Sequence, residues 1–137
     1  MMNRLEYVMD IIEKTYVTPK HRKNRVYVAG AMSDPKPINF LKNLARGIKA
    51  SVDVLRAGYA VFSPFIDFQF FLNLREGENI TLDMIQESSL AWLICSDAML
   101  VLPHFENSAG TLREIEFARS FHIPIYYDLE TLKKEVK

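Results

Sequence analysis

The spacing of apolar residues predicts one helix at the amino terminus, followed by a regular alternation of strands and helices. Between Asn3 and Tyr16, apolar side chains recur every three or four residues and charged side chains occupy the other positions. This pattern is typical of an amphipathic helix. The polar stretch 17–24 then predicts a linker. We therefore divide the chain into residues 1–24, a helix and linker, and residues 25–137, one α/β domain.

Four short apolar runs predict the strands of this domain. They are residues 25–29, 59–63, 97–102 and 123–127. Helical segments separate successive strands, and the aromatic run 65–72 predicts a partly helical excursion over the edge of the sheet. Alternating strands and helices with short connections indicate parallel strands and right-handed crossovers. We expect a three-layer, flavodoxin-like or Rossmann-like α/β fold with a parallel sheet of four to five strands.

Capping residues predict where the helices of the domain begin and end. Gly58 is expected to end the helix that starts near residue 38. Thr81 and Asp128 are expected to begin later helices as amino-terminal caps. The helix after Thr81 is expected to face the core with four apolar side chains, which are Leu82, Ile85, Leu90 and Trp92.

The segment 108–114, with the sequence Ser-Ala-Gly-Thr-Leu-Arg-Glu, follows the third predicted strand. Open α/β sheets bind ligands at the carboxyl ends of their strands, so we expect the functional site here. Glu114 lies on the same helical face as Gly110, and its carboxylate either performs chemistry or complements the helix dipole. Ser108 and the Gly110 amide either receive an anion such as phosphate or serve as an ordinary helix cap.

Aromatic side chains provide further candidates. The hydroxyl of Tyr27, in the first predicted strand, could reach the crevice beside Glu114, although a tyrosine there could equally belong to the core. The aromatic run offers two similar interpretations, stacking on a planar base or filling core and interface. Its phenylalanines are Phe65, Phe68, Phe70 and Phe71.

Composition narrows the function classes. The 17 basic and 17 acidic residues give no net charge, which disfavours a polymeric nucleic-acid partner. The single cysteine, Cys95, favours a reducing, cytoplasmic location, and no apolar run reaches the roughly 20 residues that cross a membrane. The three histidines have no metal-ligand spacing, and the glycine turn matches neither a Walker loop nor a G-x-G-x-x-G fingerprint. We therefore expect no metal and no cofactor.

Three segments resemble the nucleoside 2-deoxyribosyltransferases and their relatives, the deoxynucleoside monophosphate N-glycosidases. They are residues 26–33, 57–64 and 97–118, and the S-x-G-T-x-x-E pattern of the third is the most distinctive. The resemblance covers most of the chain from Arg25 to Tyr127. It implies cleavage or transfer at the N-glycosidic bond of a 2'-deoxynucleoside or its 5'-monophosphate. It also implies assembly into a homo-oligomer.

The resemblance assigns roles to individual residues. Glu114 matches the nucleophile that forms a covalent deoxyribosyl-enzyme, and Tyr27 matches the tyrosine that orients it. Serine at position 108 matches the monophosphate hydrolases, which favours a nucleotide because serine does not repel a phosphate dianion. The residues that we expect to contact substrate are Ser108, Gly110, Gly30, Met32, Ser33, Asp67 and Phe68.

The chain departs from the family pattern at one position. Relatives carry an aspartate on the helix before the third strand, and the matching residue here is Ser89. Asp83 and Asp67 are the candidates that could replace this acid. The departure leaves open an alternative function, in which the chain is a catalytically weak nucleotide-binding or sensing module on the same fold.

Overall fold

The computed structural model describes residues 1–15 and 23–137. The predicted linker therefore lies largely outside the described residues. The elements are α1 (Arg4–Thr15), β1 (Arg25–Ala29), α2 (Pro37–Arg56), β2 (Ala60–Phe62), a 3-10 segment (Pro64–Asn73), α3 (Leu82–Ile94), β3 (Ala98–Val101), α4 (Ala109–Ser120), β4 (Ile125–Tyr126) and α5 (Leu129–Glu135).

The four strands form one parallel sheet in the order β2-β1-β3-β4. This confirms the predicted fold class, with four strands in the described part of the chain. Tyr27 at the centre of β1 pairs with Phe62 on one side and with Met99 on the other. The connection after β1 leads to β2 on one side of the β1–β3 pair, and the connection after β3 leads to β4 on the other side. A crevice at the carboxyl ends of β1 and β3 follows from that reversal of direction.

Alternation along β1 builds two apolar cores, one on each face of the sheet. Val26 and Val28 pack against α2 and α5. Tyr27 and Ala29 face the other way and pack against α3 and α4. All four side chains are fully buried. Because β1 is covered on both faces, its sequence is apolar throughout, as expected for a central parallel strand.

Several predicted caps are confirmed. Thr81 Oγ1 accepts a hydrogen bond from the Met84 amide at 3.2 Å at the start of α3. Asp128 Oδ1 accepts one from the Thr131 amide at 2.7 Å at the start of α5. Gly58 adopts a φ of 100° just beyond α2, a left-handed conformation in which a side chain would be strained. These contacts set the helix boundaries close to the predicted ones.

The prediction for the core face of α3 was wrong for Leu82 and Trp92, whereas Leu90 packs against the core as predicted. Leu82 and Trp92 are 62% and 58% exposed, and the residues of α3 that are buried are Ser89 and Leu93. Leu93, which was not predicted to face the core, lies on the same helix face as Leu82 and Ser89 and packs into the core. The first two turns of α3 project beyond the ends of the strands, so Leu82 borders a cavity there instead of a core.

Helix α1 forms as predicted and keeps its apolar face exposed. Leu5, Val8 and Ile12 remain between about two fifths and seven tenths exposed.

None of the described helices is both long and apolar enough to span a membrane. The cytoplasmic location stays a prediction.

Tight packing against α2 holds the 3-10 segment over the end of the sheet. The Phe65 ring is fully buried, and a Cβ placed on Gly47 would lie 2.2 Å from it. The Ser51 hydroxyl donates to the Gly47 carbonyl oxygen at 2.8 Å and lies 2.8 Å from the Ser63 hydroxyl. The absence of a side chain at position 47 is therefore what lets this segment sit close to the helix.

Gly47→Ala should destabilise the protein by about 1–3 kcal/mol, because the added methyl group overpacks the Phe65 ring. Alanine raises helix propensity by up to about 1 kcal/mol, so the clash must exceed that gain. Gly110→Ala, where no atom lies within 4 Å of the added Cβ, is the matched control and should be neutral or stabilising. Urea unfolding measures both variants. Equal stability of the two variants would contradict a clash between a side chain at position 47 and the Phe65 ring.

Candidate active site

A cavity of about 160 Å³ opens at the carboxyl ends of β1 and β3, where the direction of the chain connections reverses. Its wall combines the end of β1, the loop that follows it, the 3-10 segment, α3 and the first turns of α4. Most of the wall is apolar. The functional site was expected at this edge of the sheet, and this is where the candidate residues converge.

Seven of the nine candidate site residues line this single cavity. They are Tyr27, Met32, Ser33, Asp67, Phe68, Gly110 and Glu114. Four separate elements or loops contribute them, so the residues become neighbours only in the folded chain. Their roles in binding or catalysis stay predictions.

Gly30 and Ser108 are not part of the cavity wall. Gly30 is buried, and a Cβ at this position would lie 3.1 Å from Leu102 and 3.3 Å from Phe65, so it serves close packing. The Ser108 hydroxyl accepts a hydrogen bond from the Thr111 amide at 3.3 Å and lies 2.9 Å from the Thr111 hydroxyl. Ser108 is therefore the cap of α4, as the simpler of the two interpretations expected.

Glu114 and Tyr27 bring two unsatisfied polar atoms into the same wall. Glu114 Oε2 and the Tyr27 hydroxyl are both sealed from solvent, and neither forms a hydrogen bond of standard geometry with a described residue. The two groups nevertheless lie close enough to interact, because the Tyr27 hydroxyl lowers the pKa of Glu114 and Glu114 raises the pKa of Tyr27. Buried polar atoms without partners are rare in proteins because each loses its hydration. Two such atoms on the wall of one cavity are candidates for contact with a ligand.

Burial sets the ionisation of this pair. It raises the pKa of Glu114 to about 7, against smaller opposing effects of the Tyr27 hydroxyl and the Arg113 charge. Burial also raises the pKa of Tyr27 far above its usual value, and the negative charge of Glu114 adds to that shift. The phenol therefore stays protonated, while the carboxyl group changes charge close to neutral pH.

A second carboxyl group enters the cavity from the 3-10 segment. Asp67 is half-buried, and its Oδ2 accepts a hydrogen bond from the Ser89 hydroxyl at 3.4 Å. Burial raises the pKa of Asp67, and the Ser89 hydrogen bond acts in the opposite direction. The cavity thus contains two acids whose charged forms are both disfavoured by burial.

The loop after β1 reaches the cavity because polar contacts with α2 fix it. Asn43 of α2 donates to the Met32 carbonyl oxygen at 3.1 Å. Asp34 Oδ1 accepts hydrogen bonds from the Lys36 amide at 2.8 Å and from the Asn39 side chain at 3.3 Å. These contacts hold Met32 and the adjacent serine at the cavity wall.

The phenylalanines of the 3-10 segment do not all occupy the same environment. The sequence left open whether they stack on a planar base or fill core and interface. Phe65 belongs to the core, whereas Phe68 and Phe71 line the cavity and Phe70 is 54% exposed.

Within residues 1–15 and 23–137, no group of three or more His, Cys, Asp or Glu side chains could hold a metal ion.

A stripe along α3 forms one wall of the cavity, although Leu82, Ile85 and Leu90 were predicted to face the core and Gln86 was not among the predicted residues. The stripe contains Leu82, Ile85, Gln86, Ser89 and Leu90. This spacing is the i, i+3, i+4, i+7, i+8 repeat of one helix face. The signal was present in the sequence, because Gln86 and Ser89 interrupt an otherwise apolar stripe. Arg113 of α4 was also missed, and its guanidinium donates to Gln86 Oε1 at 2.7 Å.

Glu114→Gln should make the protein more stable at high pH relative to the native chain. Below pH 4.5, both folded and unfolded states hold the Glu114 proton. Between 4.5 and about 7 only the folded state holds it, so native stability falls as the pH rises. The stability difference between variant and native protein should therefore grow by about 3 kcal/mol from about pH 4 to about pH 9.

Urea unfolding across this pH range measures the effect. Glu116→Gln is the matched control, because Glu116 lies on the solvent side of the same helix and pairs with Arg119 at 3.0 Å. Its difference from the native protein should not show this rise. A Glu114→Gln difference that is equally flat would show that the carboxyl group is solvated.

Comparison with known proteins identifies a family but no activity. The profile of a domain of unknown function, DUF4406, matches residues 24–127. No curated protein matches the chain. The match spans every strand, α2 to α4 and all the residues of the cavity wall. The chain therefore belongs to the DUF4406 family.

Proposed function

We propose that this protein cleaves or transfers at the N-glycosidic bond of a 2'-deoxynucleoside or its 5'-monophosphate, with Glu114 as the nucleophile. The observation that carries the proposal is the buried Glu114 carboxyl group beside the Tyr27 hydroxyl in an apolar cavity, each with an oxygen that forms no hydrogen bond of standard geometry. The resemblance of residues 26–33, 57–64 and 97–118 to the deoxyribosyltransferases supports the same chemistry.

The environment of Glu114 suits attack on an anomeric carbon. With a pKa of about 7, the carboxyl group is ionised in about half of the molecules at neutral pH. The transition state of glycosidic cleavage resembles an oxocarbenium ion, so a poorly solvated carboxylate stabilises it more than the uncharged ground state. Deoxyribose lacks the 2-hydroxyl group and ionises more readily than ribose.

Tyr27 acts as a positioning residue for the nucleophile. Its phenol stays protonated, and the central strand of the sheet fixes its backbone. The Tyr27 ring also stacks on Phe62 with 5.3 Å between ring centroids, which restricts its orientation. A fixed hydroxyl beside Glu114 holds the carboxyl group toward the reacting carbon and lowers its pKa.

The cavity favours a small, partly apolar ligand. Its volume of about 160 Å³ is below the roughly 300–1,000 Å³ of sites that enclose drug-sized molecules. This size fits one ring of a nucleoside with the remainder at the opening, and it disfavours a dinucleotide. Phe68 and Phe71 offer flat faces to a base, and the first turn of α4 at Gly110 offers backbone amides to a phosphate.

The proposal predicts release of free base from a panel of deoxynucleosides and deoxynucleoside monophosphates, measured by chromatography. Glu114→Gln should lower the rate by about 10³-fold or more, because the attacking oxygen is lost. Glu116→Gln, on the solvent side of α4, should retain the native rate. Intact mass measurement should detect a deoxyribosyl adduct on the native chain and none on Glu114→Gln.

Two results would contradict the proposal. One is a native protein that releases no base from any substrate of the panel. The other is a Glu114→Gln variant that is as active as the native protein.

A nucleotide-binding or sensing module is the second candidate function. Serine instead of aspartate at position 89, on the cavity wall, favours it. This candidate predicts that a nucleotide raises the melting temperature without base release. Efficient base release by the native chain would exclude it.

The proposal includes assembly of the chain with copies of itself. Exposed aromatic side chains of the 3-10 segment and α3 offer apolar surface for such contacts, and Phe70 and Trp92 are more than half exposed.

A further inference from the structure

The cavity contains a second acid that the proposed nucleophilic step does not use. Asp67 lies on the 3-10 segment, and Ser89, only 7% exposed, donates to its Oδ2 at 3.4 Å. Both side chains line the same cavity as Glu114. Asp67 is the one carboxylic acid besides Glu114 on the described cavity wall.

A base that leaves a sugar carries away the bonding electron pair on its nitrogen, so proton donation to the base makes departure easier. Tyr27 is a poor donor, because burial holds its pKa far above neutral. Arg113 keeps its proton at any ordinary pH. Asp67 is the remaining titratable group of the described wall, and burial raises its pKa.

We propose that Asp67 protonates the departing base and that Ser89 holds the Asp67 carboxyl group in place for this transfer. The inference rests on the glycosidic chemistry proposed above. It places the acid on the 3-10 segment, whereas the resemblance led us to expect an acid on α3 itself. Asp83, the other candidate, is exposed and is not part of the cavity wall.

The packing of the 3-10 segment explains how Asp67 is held. Phe65, two residues earlier, is fixed by its contact with Gly47 on α2. Ser89 then fixes the carboxyl group from the opposite element, α3, through a hydrogen bond to Oδ2. With one oxygen bound by Ser89, the other is left to carry the proton. Backbone packing and one side-chain contact thus orient the acid.

The two carboxyl groups complete a balanced cycle. Glu114 attacks the anomeric carbon, a carbon–oxygen bond forms, the carbon–nitrogen bond breaks, and the nitrogen retains the electron pair and takes the Asp67 proton. Water then attacks the same carbon, its proton passes to the Asp67 carboxylate, and the ester electron pair returns to Glu114. A second base in place of water gives transfer. Both acids end as they began.

Asp67→Asn tests this role through substrates that differ in their need for a proton. Two substrates are compared. One is the unmodified deoxynucleoside or deoxynucleoside monophosphate that the native protein cleaves fastest, and the other is an analogue of it with a better leaving base. For a purine the analogue carries N7-methylguanine, and for a pyrimidine it carries 5-fluorouracil. The readout is the ratio of the two rates within one sample, which does not depend on the fraction of folded protein.

Asp67→Asn should lower the rate with the unmodified substrate by about 10²–10⁴-fold and the rate with the activated analogue far less. The rate ratio should therefore change strongly. Glu114→Gln should leave the ratio close to the native value, because both substrates need the nucleophile. Asp83→Asn should leave both rates unchanged. An unchanged ratio in Asp67→Asn would overturn the assignment.

Ser89 has its own test as a positioning residue. Ser89→Ala should change the rate ratio in the same direction as Asp67→Asn, and Ser89→Thr, which keeps the hydroxyl, should restore it. Ratios that stay native in Ser89→Ala would remove Ser89 from the proposal. A native protein without any base release contradicts the proposed function itself, whereas an active native protein with an unaltered Asp67→Asn ratio contradicts only the acid.

Discussion

The central position of β1 is the constraint on which the rest of the structure depends. Its pairing with both β2 and β3 removes it from any edge of the sheet, and helices cover it on both faces. Because side chains alternate along a strand, Tyr27 must then face α3 and α4 while its neighbours face α2 and α5. In the same arrangement the connections after β1 and after β3 lead to opposite sides of the sheet, which leaves a cavity beside the Tyr27 hydroxyl.

The cavity retains polar groups that the fold does not satisfy. An exposed glutamate would be ionised throughout the neutral range, but the Glu114 carboxyl group is held where ionisation costs free energy. Packing elsewhere, such as the Phe65 ring against Gly47, stabilises the elements that enclose it. The protein therefore keeps a destabilising carboxyl group among packed elements, an arrangement that is common at functional sites.

Local sequence pattern predicted much of this architecture. The bounds of β1 and the caps at Thr81 and Asp128 depend on short-range pattern, which a sequence displays. The shared cavity of Tyr27 and Glu114 was one of two interpretations that the sequence left open for Tyr27. Less predictable features depend on contacts between distant segments. Whether an apolar residue of α3 meets the core, as Leu90 does, or the cavity, as Leu82 does, depends on which segment of the chain lies opposite it. The Ser89–Asp67 contact likewise joins residues 22 positions apart.

The central claim is that the Glu114 carboxyl group lies in an environment that disfavours its charge. A pH titration of the side-chain carboxyl carbon of Glu114, followed by carbon-13 NMR on the full chain, measures this directly. The account predicts a pKa of about 7 for this group. A value near 4.5, that of an ordinary glutamate, would contradict it.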